Sequence, residues 1–430
     1  MPATPMPTVR SPAPAPDRMP AAARVAVVGT GVVGLSAALG CAQRGIPVTL
    51  IGPAPAAAAM RPVAPEPAGE HWDARIYALS PASVALLERQ RVWSQVDTSR
   101  VCAVQRMEVH GDDGGRLCFD VPTAGTQPLA TICEESQLLR VLWLACTLAP
   151  GLSHRAAGFD SAVFAPETTG RWAQPAGDVA APATTVQLRL DDGAVLDVAL
   201  LIGADGRQSA VRAAAGIGAR QDDYGQVAVV ANFATQWFHG GIARQWFTPE
   251  GVVALLPMPG NRVSLVWSAP RDLAPALLAM PPAEFSRRVA HRTHSTLGAL
   301  TLITARQSFA LQRVLVDHLV RSGVALMGDA AHAVHPLAGQ GLNLGLQDVS
   351  EFLRVLDARE PWRGLGDRSW LRRYERARAE PIALMRTTVD GLAGLFNAPD
   401  DRVRWLRNTG MSAVNALGPL KHALVRHAMG

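Results

Sequence analysis

Lysine is almost missing from this chain of 430 residues: Lys421 is alone, and the other basic residues are arginine. No run of five or six basic residues occurs, so the arginines form no stripe suited to a nucleic-acid backbone, and no nucleic-acid partner is expected. Cysteine is scarce. Cys41, Cys102, Cys118, Cys133 and Cys146 are odd in number and form no C-x-x-C pair. That excludes a disulfide framework and a thiolate metal site, and it fits a reducing cytoplasm. The two H-x-x-H pairs, His291/His294 and His332/His335, lack the glutamate of a zinc helix, so no metal is expected. The first twenty residues hold seven prolines and no apolar run of signal-peptide length. They predict a Pro/Ala-rich disordered tail over residues 1–23, or sequence upstream of a start at Met19.

What is present is globular. Apolar residues are 48% and charged residues 18%, and the length suits two or three domains. The net charge of +5 is unevenly placed, with +6 in residues 361–430. Such a region suits an arginine-decorated helical surface or a face toward anionic lipid. Residues 25–43 carry no charge, but their glycines divide the stretch into strand, turn and helix rather than a membrane span.

Val25–Val28 reads as a buried parallel strand, Val32–Arg44 as a helix stopped by Gly45, and Val48–Ile51 as the next strand. Between the first two lies Gly29-Thr30-Gly31-Val32-Val33-Gly34. In a β-α-β unit this G-x-G-x-x-G has a physical use for dinucleotides: Gly29 turns tightly, Gly31 lets backbone approach a pyrophosphate, and Gly34 lets helix pack on strand. The helix N-terminus adds free N–H groups and partial positive charge. A carboxylate should end the second strand and hold the adenosine ribose, yet that strand runs into Ile51-Gly52-Pro53, with Glu66 and Glu70 the nearest acids. Either one of these reaches back from the loop or the ribose is held otherwise; Gly52→Glu is expected to tighten the dinucleotide if only the ribose contact is missing, and to weaken it if the loop takes another course.

Residues 72–93 read as a loop entering an amphipathic helix capped by Ser80, residues 101–121 as a hairpin, and Glu134–Leu148 as a helix. Residues 155–185 suit loop or weak strand. Thr185–Leu190 and Val195–Ile202 read as strands, the second leading into Gly203-Ala204-Asp205-Gly206-Arg207-Gln208-Ser209-Ala210-Val211-Arg212. Residues 224–268 carry β-rich runs, and 271–300 and those from 350 are mainly helical. Val324–Met327 is a further buried strand, entering Gly328-Asp329.

Three segments, GTGVVG, GADGRQSAVR and GDAAHAVHPLAGQGLNLGLQD, each follow a strand with a glycine loop. Together they resemble the single-component FAD-dependent aromatic monooxygenases, whose archetype is para-hydroxybenzoate hydroxylase. The run His335–Asp348, with DARIYALS, ARQWFTPEGVVALLPMP, LRRYERAR and the closing HAMG, is similar to the ubiquinone-biosynthesis hydroxylases over nearly all of residues 24–430. Two positions depart from that family: Gly52, where an acid is usual, and Glu135, where asparagine is common.

The resulting fold expectation is α/β. A Rossmann-like FAD-binding domain is assembled from discontinuous segments (24–100, 123–223 and 316–365), a mixed β-sheet substrate domain from 101–122 and 224–315, and a helical C-terminal region from 366–430. The resemblance implies FAD as cofactor and NAD(P)H as co-substrate. It also implies hydroxylation of the ring of a polyprenyl phenol with O2, through a flavin 4a-hydroperoxide. It implies that Gly29, Gly31 and Gly34 hold the FAD pyrophosphate, that Asp205, Gly206 and Arg212 lie near it, and that Gly328-Asp329 sets a carboxylate on the ribityl chain. Arg75 matches the family arginine near the flavin, with a surface salt bridge as its other reading. Pro336, Gly339, Gln340 and Gly341 would shape the reactive face. A helix beginning near Gly339–Leu342 would aim N–H groups at the flavin's anionic edge, with Gly341, Leu342 and Asn343 as cofactor-binding residues.

His332 and His335 are expected to pack rather than act as bases. Phe233, Trp237, Phe238, Trp246, Phe247 and Trp267 are candidate substrate-pocket walls, with core packing as the alternative for each. Val403, Leu406, Val414 and Leu417 beside Arg402, Arg404 and Arg407 suit a peripheral amphipathic surface or a docked helix. A cytoplasmic protein contacting the inner face of the bacterial membrane, and a ubiquinone-biosynthesis complex, are the implied setting. The rival functions are a hydroxylase of a soluble aromatic acid, a non-catalytic scaffold of that complex, and a reductase or oxidase.

Overall fold

Val25–Val28 forms β1, buried along its whole length, and leads through Gly29 into α1 (Val32–Ala42) and β2 (Val48–Ile51), which pairs parallel to β1. This computed structural model describes residues 24–56, 60, 71–112, 114–121, 127–164, 186–333 and 340–397. Short β-branched runs without polar alternation suit strands covered on both faces. The helix ends at Ala42, slightly earlier than its sequence suggests, and Gly45 reverses the chain at φ +72°. Ile76–Leu79, read above as loop, is a strand, β3. It precedes α2 (Pro81–Arg89), whose Ser80 cap accepts from the Ser83 N–H as expected. β4 (Cys102–Val104), β5 (Arg106–His110), β6 (Arg116–Asp120), β7 (Ala130–Glu134) and α3 (Glu135–Leu148) follow. The expected hairpin is β5 with β6, whereas β4 joins β7 and β3 in a separate three-stranded sheet.

β8 (Leu152–Arg155), β9 (Phe159–Phe164), β10 (Val186–Leu190), β11 (Val195–Val198), β12 (Leu200–Gly203) and α4 (Ala210–Ala214) come next. The single strand expected over Val195–Ile202 is in fact two. β11 pairs antiparallel to β10, and after Ala199 the chain switches sheets so that β12 pairs parallel to β1. The long β13 (Ala219–Thr235) then leads into β14 (Ile242–Thr248), β15 (Gly251–Met258), β16 (Arg262–Pro270), α5 (Ala274–Ala279), α6 (Pro282–Arg292), β17 (Leu300–Leu302) and β18 (Gln307–Val316). The described chain closes with β19 (Val320–Arg321), β20 (Val324–Leu326), β21 (His332–Ala333), α7 (Gln340–Asp357) and α8 (Arg368–Asn397).

Two large sheets organise these elements. The first has the order β19-β20-β12-β1-β2-β8, so β20, β12 and β1 lie side by side and parallel. Their C-terminal ends carry the three glycine loops, which topology therefore brings to one edge. The second has nine strands, with β21-β18-β13-β16-β15-β14-β5-β6 in order and β17 beside β13. Its core takes Phe233, Trp246, Trp267 and Phe285, and Phe247 is buried in a neighbouring cluster. Phe233, Trp246, Trp267 and Phe247 thus take the packing alternative, and Trp237 and Phe238 stand in solvent rather than in a pocket wall. Among the described residues no helix is long and apolar enough to cross a membrane. The amphipathic stretch from Arg402 to Leu417 lies outside the described residues.

One side chain joins the sheets' surroundings. Asn232, fully buried on β13, donates from Nδ2 to the Asp73 carbonyl at 2.7 Å, two residues before Arg75. Asn232→Ala would leave that carbonyl without its donor and should cost about 1–3 kcal/mol. Urea unfolding measures this, and an unchanged midpoint at unchanged slope would remove the bond from the account.

Candidate functional site

The first loop is shaped by what it excludes. A Cβ on Gly29, at φ +117°, would sit 2.2 Å from the Ala204 carbonyl oxygen, and one on Gly34 would sit 2.0 Å from the Gly29 oxygen. Both are glycines for packing reasons. Gly31 differs, because a Cβ there would meet nothing within 4 Å. The N-terminus of α1 opens beside that space with no acidic residue in its first turn. Backbone N–H groups and partial positive charge therefore face open space, which is what a pyrophosphate needs.

The end of β2 explains the missing acid. Gly52 has φ +144°, a conformation side chains rarely adopt, and a Cβ would press on Thr30 Cγ2 at 3.1 Å. Thr30 Oγ1 donates to the Pro53 carbonyl at 2.7 Å, and His154 Nε2 lies 2.9 Å from the Gly52 carbonyl. The tightening expected of Gly52→Glu is corrected accordingly: a glutamate there would strain the loop that it was meant to assist. Glu66 and Glu70 lie outside the described residues.

The second loop is tied up internally. Asp205 Oδ1 accepts from Ser209 Oγ at 2.6 Å, Oδ2 accepts from the Val211 N–H at 3.1 Å, and Ser209 Oγ caps the Arg212 N–H at 2.9 Å. Arg212 is buried and donates to the carbonyls of Ala330 (2.8 Å) and Arg207 (2.9 Å). Burial pulls its pKa down, with Asp205 opposing. Of these side chains, read above as lying near the pyrophosphate, Asp205 and Ser209 are taken up within the second loop and Arg212 holds that loop to the third. Gly206, at φ +82° with nothing within 4 Å of a Cβ, keeps its backbone open.

The third loop turns at Gly328, φ +59°, whose N–H donates to Asp348 Oδ2 at 2.9 Å. Asp329 is half-buried, and among the described residues its carboxylate accepts no hydrogen bond. Its field reaches Arg75 and Tyr77. Arg75 pairs with Glu135 Oε1 at 3.1 Å and lies over the rings of Tyr77 and Phe309. Burial lowers the Arg75 pKa, but Tyr77, Glu135 and Asp329 together raise it. Tyr77 donates to Glu135 Oε1 at 2.7 Å, and its phenol pKa is pushed far up by burial first. The salt-bridge reading of Arg75 is met by Glu135, and the field of Asp329 reaches the same guanidinium. Glu135 holds Arg75 and Tyr77 together, a role its sequence context does not suggest.

Sequence reasoning also passed over Asp348 and Arg378. Asp348 is fully buried and accepts from His332 Nε2 (2.6 Å), Arg378 Nε (2.7 Å) and the Gly328 N–H. Burial raises its pKa, yet His332 and Arg378 hold it below the usual carboxylate range. His332 therefore packs within an ion cluster, as a structural rather than a basic residue. Asn343, also buried, accepts from the Ser80 N–H and Ser83 Oγ at 2.8 Å each and donates to the Ala78 carbonyl at 2.8 Å. Its side chain binds α7 to α2 and β3, so only its backbone is left for a cofactor. α7 begins at Gln340, has no acidic residue in its first turn, and carries Leu342 and Gly341, the latter with open space around it. Pro336, Gly339 and His335 lie outside the described residues. Among the described residues no group of His, Cys, Asp or Glu is placed to hold a metal.

A glycine cradle at a helix N-terminus, beside a carboxylate that accepts no hydrogen bond among the described residues, fits FAD and is the arrangement of a flavoprotein. Residues 166–387 match the FAD binding domain family. Ubiquinone hydroxylase UbiL of Rhodospirillum rubrum is 34% identical over 418 residues, spanning 95% of this chain and 90% of that protein. The 3-demethoxyubiquinol 3-hydroxylase of Escherichia coli is 33% identical over 410 residues, spanning 94% and 98%. The structure of Klebsiella pneumoniae HpxO complexed with FAD and uric acid shares the fold at a TM-score of 0.67, with 18% identity over 94% of this chain and 96% of that one. The chain belongs to the ubiquinone-biosynthesis hydroxylases, a family of FAD-dependent aromatic monooxygenases, and its cofactor is FAD.

Two outcomes follow from the cradle. Gly31→Ala should leave the apoprotein's melting temperature unchanged while bound FAD falls, whereas Gly29→Ala should destabilise the apoprotein itself. Thermal melts with and without FAD separate them, and equal destabilisation by both would refute the open-space assignment. Asp329→Ala should lose most bound flavin absorbance at native circular dichroism, and unchanged flavin content would remove Asp329 from the site.

Proposed function

We propose that the protein hydroxylates the aromatic ring of a polyprenyl phenol, using NAD(P)H and O2. The observation that carries this reading is similarity along the whole chain to two ubiquinone-pathway hydroxylases, combined with a site whose open positions match FAD. When bound, FAD supplies oxygen activation and transfer of one oxygen atom to the ring. The chain's own work is binding and electrostatics. Gly31 and the α1 N-terminus hold the pyrophosphate, and Asp329 holds the ribityl hydroxyls. The first turn of α7, from Gln340 through Gly341 and Leu342, sets its positive end toward the flavin's anionic edge. Arg75, fixed by Glu135 and clamped over Tyr77 and Phe309, bounds the site beside Asp329.

A polyprenyl tail partitions into a bilayer, so the reading includes a cytoplasmic protein in peripheral contact with the inner face of a bacterial membrane, beside the other enzymes of the pathway. The departure at Gly52 lends no support to a non-catalytic scaffold, because Thr30 and Pro53 accommodate the glycine.

The FAD-loaded protein, given NADH or NADPH, labelled O2 and a short-chain prenyl phenol in detergent, should yield a phenol carrying one labelled oxygen. NAD(P)H oxidation that releases only hydrogen peroxide would overturn the reading. Preference for a water-soluble aromatic acid would move it to the soluble-substrate rival.

A further inference from the structure

One end of the nine-stranded sheet is built from three turns, at residues 236–241, 259–261 and 293–299. They are bonded to one another: the Thr235 N–H donates to the Asn261 carbonyl at 2.9 Å, the Gln236 N–H to the Ala299 carbonyl at 3.0 Å, and the Trp237 N–H to the Leu297 carbonyl at 3.1 Å. Their sequences, QWFHGG, PGN and THSTLGA, contain no Asp, Glu, Lys or Arg; the cations beside them are Arg244 and Arg262, which donate to the His239 and Pro259 carbonyls at 3.2 and 3.0 Å. From this end Trp237 and Phe238 project, 56% and 64% exposed.

The exposure is imposed by the backbone. His239 is buried, its Nε2 within 2.9 Å of the Met258 and Gly260 carbonyls, and its Nδ1 accepts from the Gly241 N–H at 3.0 Å. Burial lowers its pKa, in keeping with a neutral ring in that role. Gly240 and Gly241 then reverse the chain at φ +65° and +68°. Two adjacent aromatic rings on a pinned turn stay in the solvent, a cost that water does not repay.

We propose that this aromatic tip inserts into the interfacial zone of the bilayer that holds the lipid substrate. That zone favours tryptophan and phenylalanine and accepts cations kept at the polar side, and here the rings are exposed while Arg244 and Arg262 are held back on turn carbonyls. The inference rests on the polyprenyl reading above for its reason, and it adds the surface that makes the contact. The tip is continuous with the site: Asn232, five residues before Trp237 on the same chain segment, holds Asp73 beside Arg75. At about 3.3 Å per strand residue, that is about 17 Å of chain.

The test uses the full FAD-loaded chain and its Trp237→Ser/Phe238→Ser double variant, floated with vesicles of phosphatidylcholine alone or with added phosphatidylglycerol. Wild type should float with phosphatidylcholine, and the variant should partition at least about tenfold less. Its flavin content and turnover of a detergent-dispersed short-chain phenol should be unchanged, while turnover of a vesicle-embedded long-chain phenol falls. Equal flotation of both proteins would overturn the proposal. So would binding that requires phosphatidylglycerol and ignores the substitution, which would assign the contact to arginine. Loss of self-association instead of vesicle binding would make the tip a contact between copies, also against the proposal. Failure to hydroxylate even the dispersed phenol, with vesicle binding intact, would count against the hydroxylase reading alone.

Discussion

Three loops meet in less space than a methyl group occupies, and the site depends on that constraint. Gly29 lies against the Ala204 carbonyl, and a Cβ on Gly345 of α7 would sit 2.7 Å from Val33 Cγ2 of α1 and 3.1 Å from Gly328 Cα. Backbone therefore contacts backbone where β1, β12 and β20 end, and the surface proposed for the cofactor is made of peptide groups rather than side chains. Most polar side chains around it have another task. Asp205 and Ser209 shape the second loop, Arg212 fastens it to the third, and Asn343 fastens the start of α7. A surface assembled this way gains its precision from packing, because interiors near crystal density do not yield gradually.

Asp348 anchors the third loop to the helices behind it. A buried carboxylate is costly unless its oxygens are fully used, and here they take the Gly328 N–H, His332 and Arg378. Removing one partner from such a cluster typically costs about 3–5 kcal/mol, because the remaining charge is stranded. The turn that presents Asp329 is thus linked through one carboxylate to α7 and, through Arg378, to α8.

The legible parts of the fold were those whose cause is local. The β-α-β unit, the Ser80 cap and the strand entering Gly328 each carry their signal in adjacent residues. β3 was not legible, because four residues between loops become a strand only when β7, more than fifty residues on, pairs with them. The switch of sheets at Ala199 and the fit of Gly52 against Thr30 are likewise settled by distant neighbours. The aromatics divide by the same logic. Phe233 and Trp267 follow the alternation of buried strands, and the consecutive Trp246-Phe247 are buried in two different clusters, whereas Trp237-Phe238 lie past the end of β13 and are followed by Gly240-Gly241. Those two glycines were the available sign that this pair leaves the core. FAD was readable from the three loops and the family resemblance, and the full-length relatives agree.

Glu135 shows how a departure from the family can shift charge without disturbing the fold. It occupies the first helical position of α3, where a carboxylate is favoured by the free N–H groups of the helix start. An asparagine there would still accept from the Tyr77 hydroxyl, but it would not neutralise Arg75. With Glu135 and Asp329 both beside it, Arg75 faces two carboxylates, and Arg212 is spent on backbone carbonyls. The arginines named for the site therefore offer little unbalanced charge to an anionic cofactor. The helix starts of α1 and α7, each without an acidic residue in the first turn, remain as the sources of positive potential. Their dipoles are fixed by backbone geometry, so the field they place at the proposed cofactor site needs no side-chain rearrangement when charge develops there.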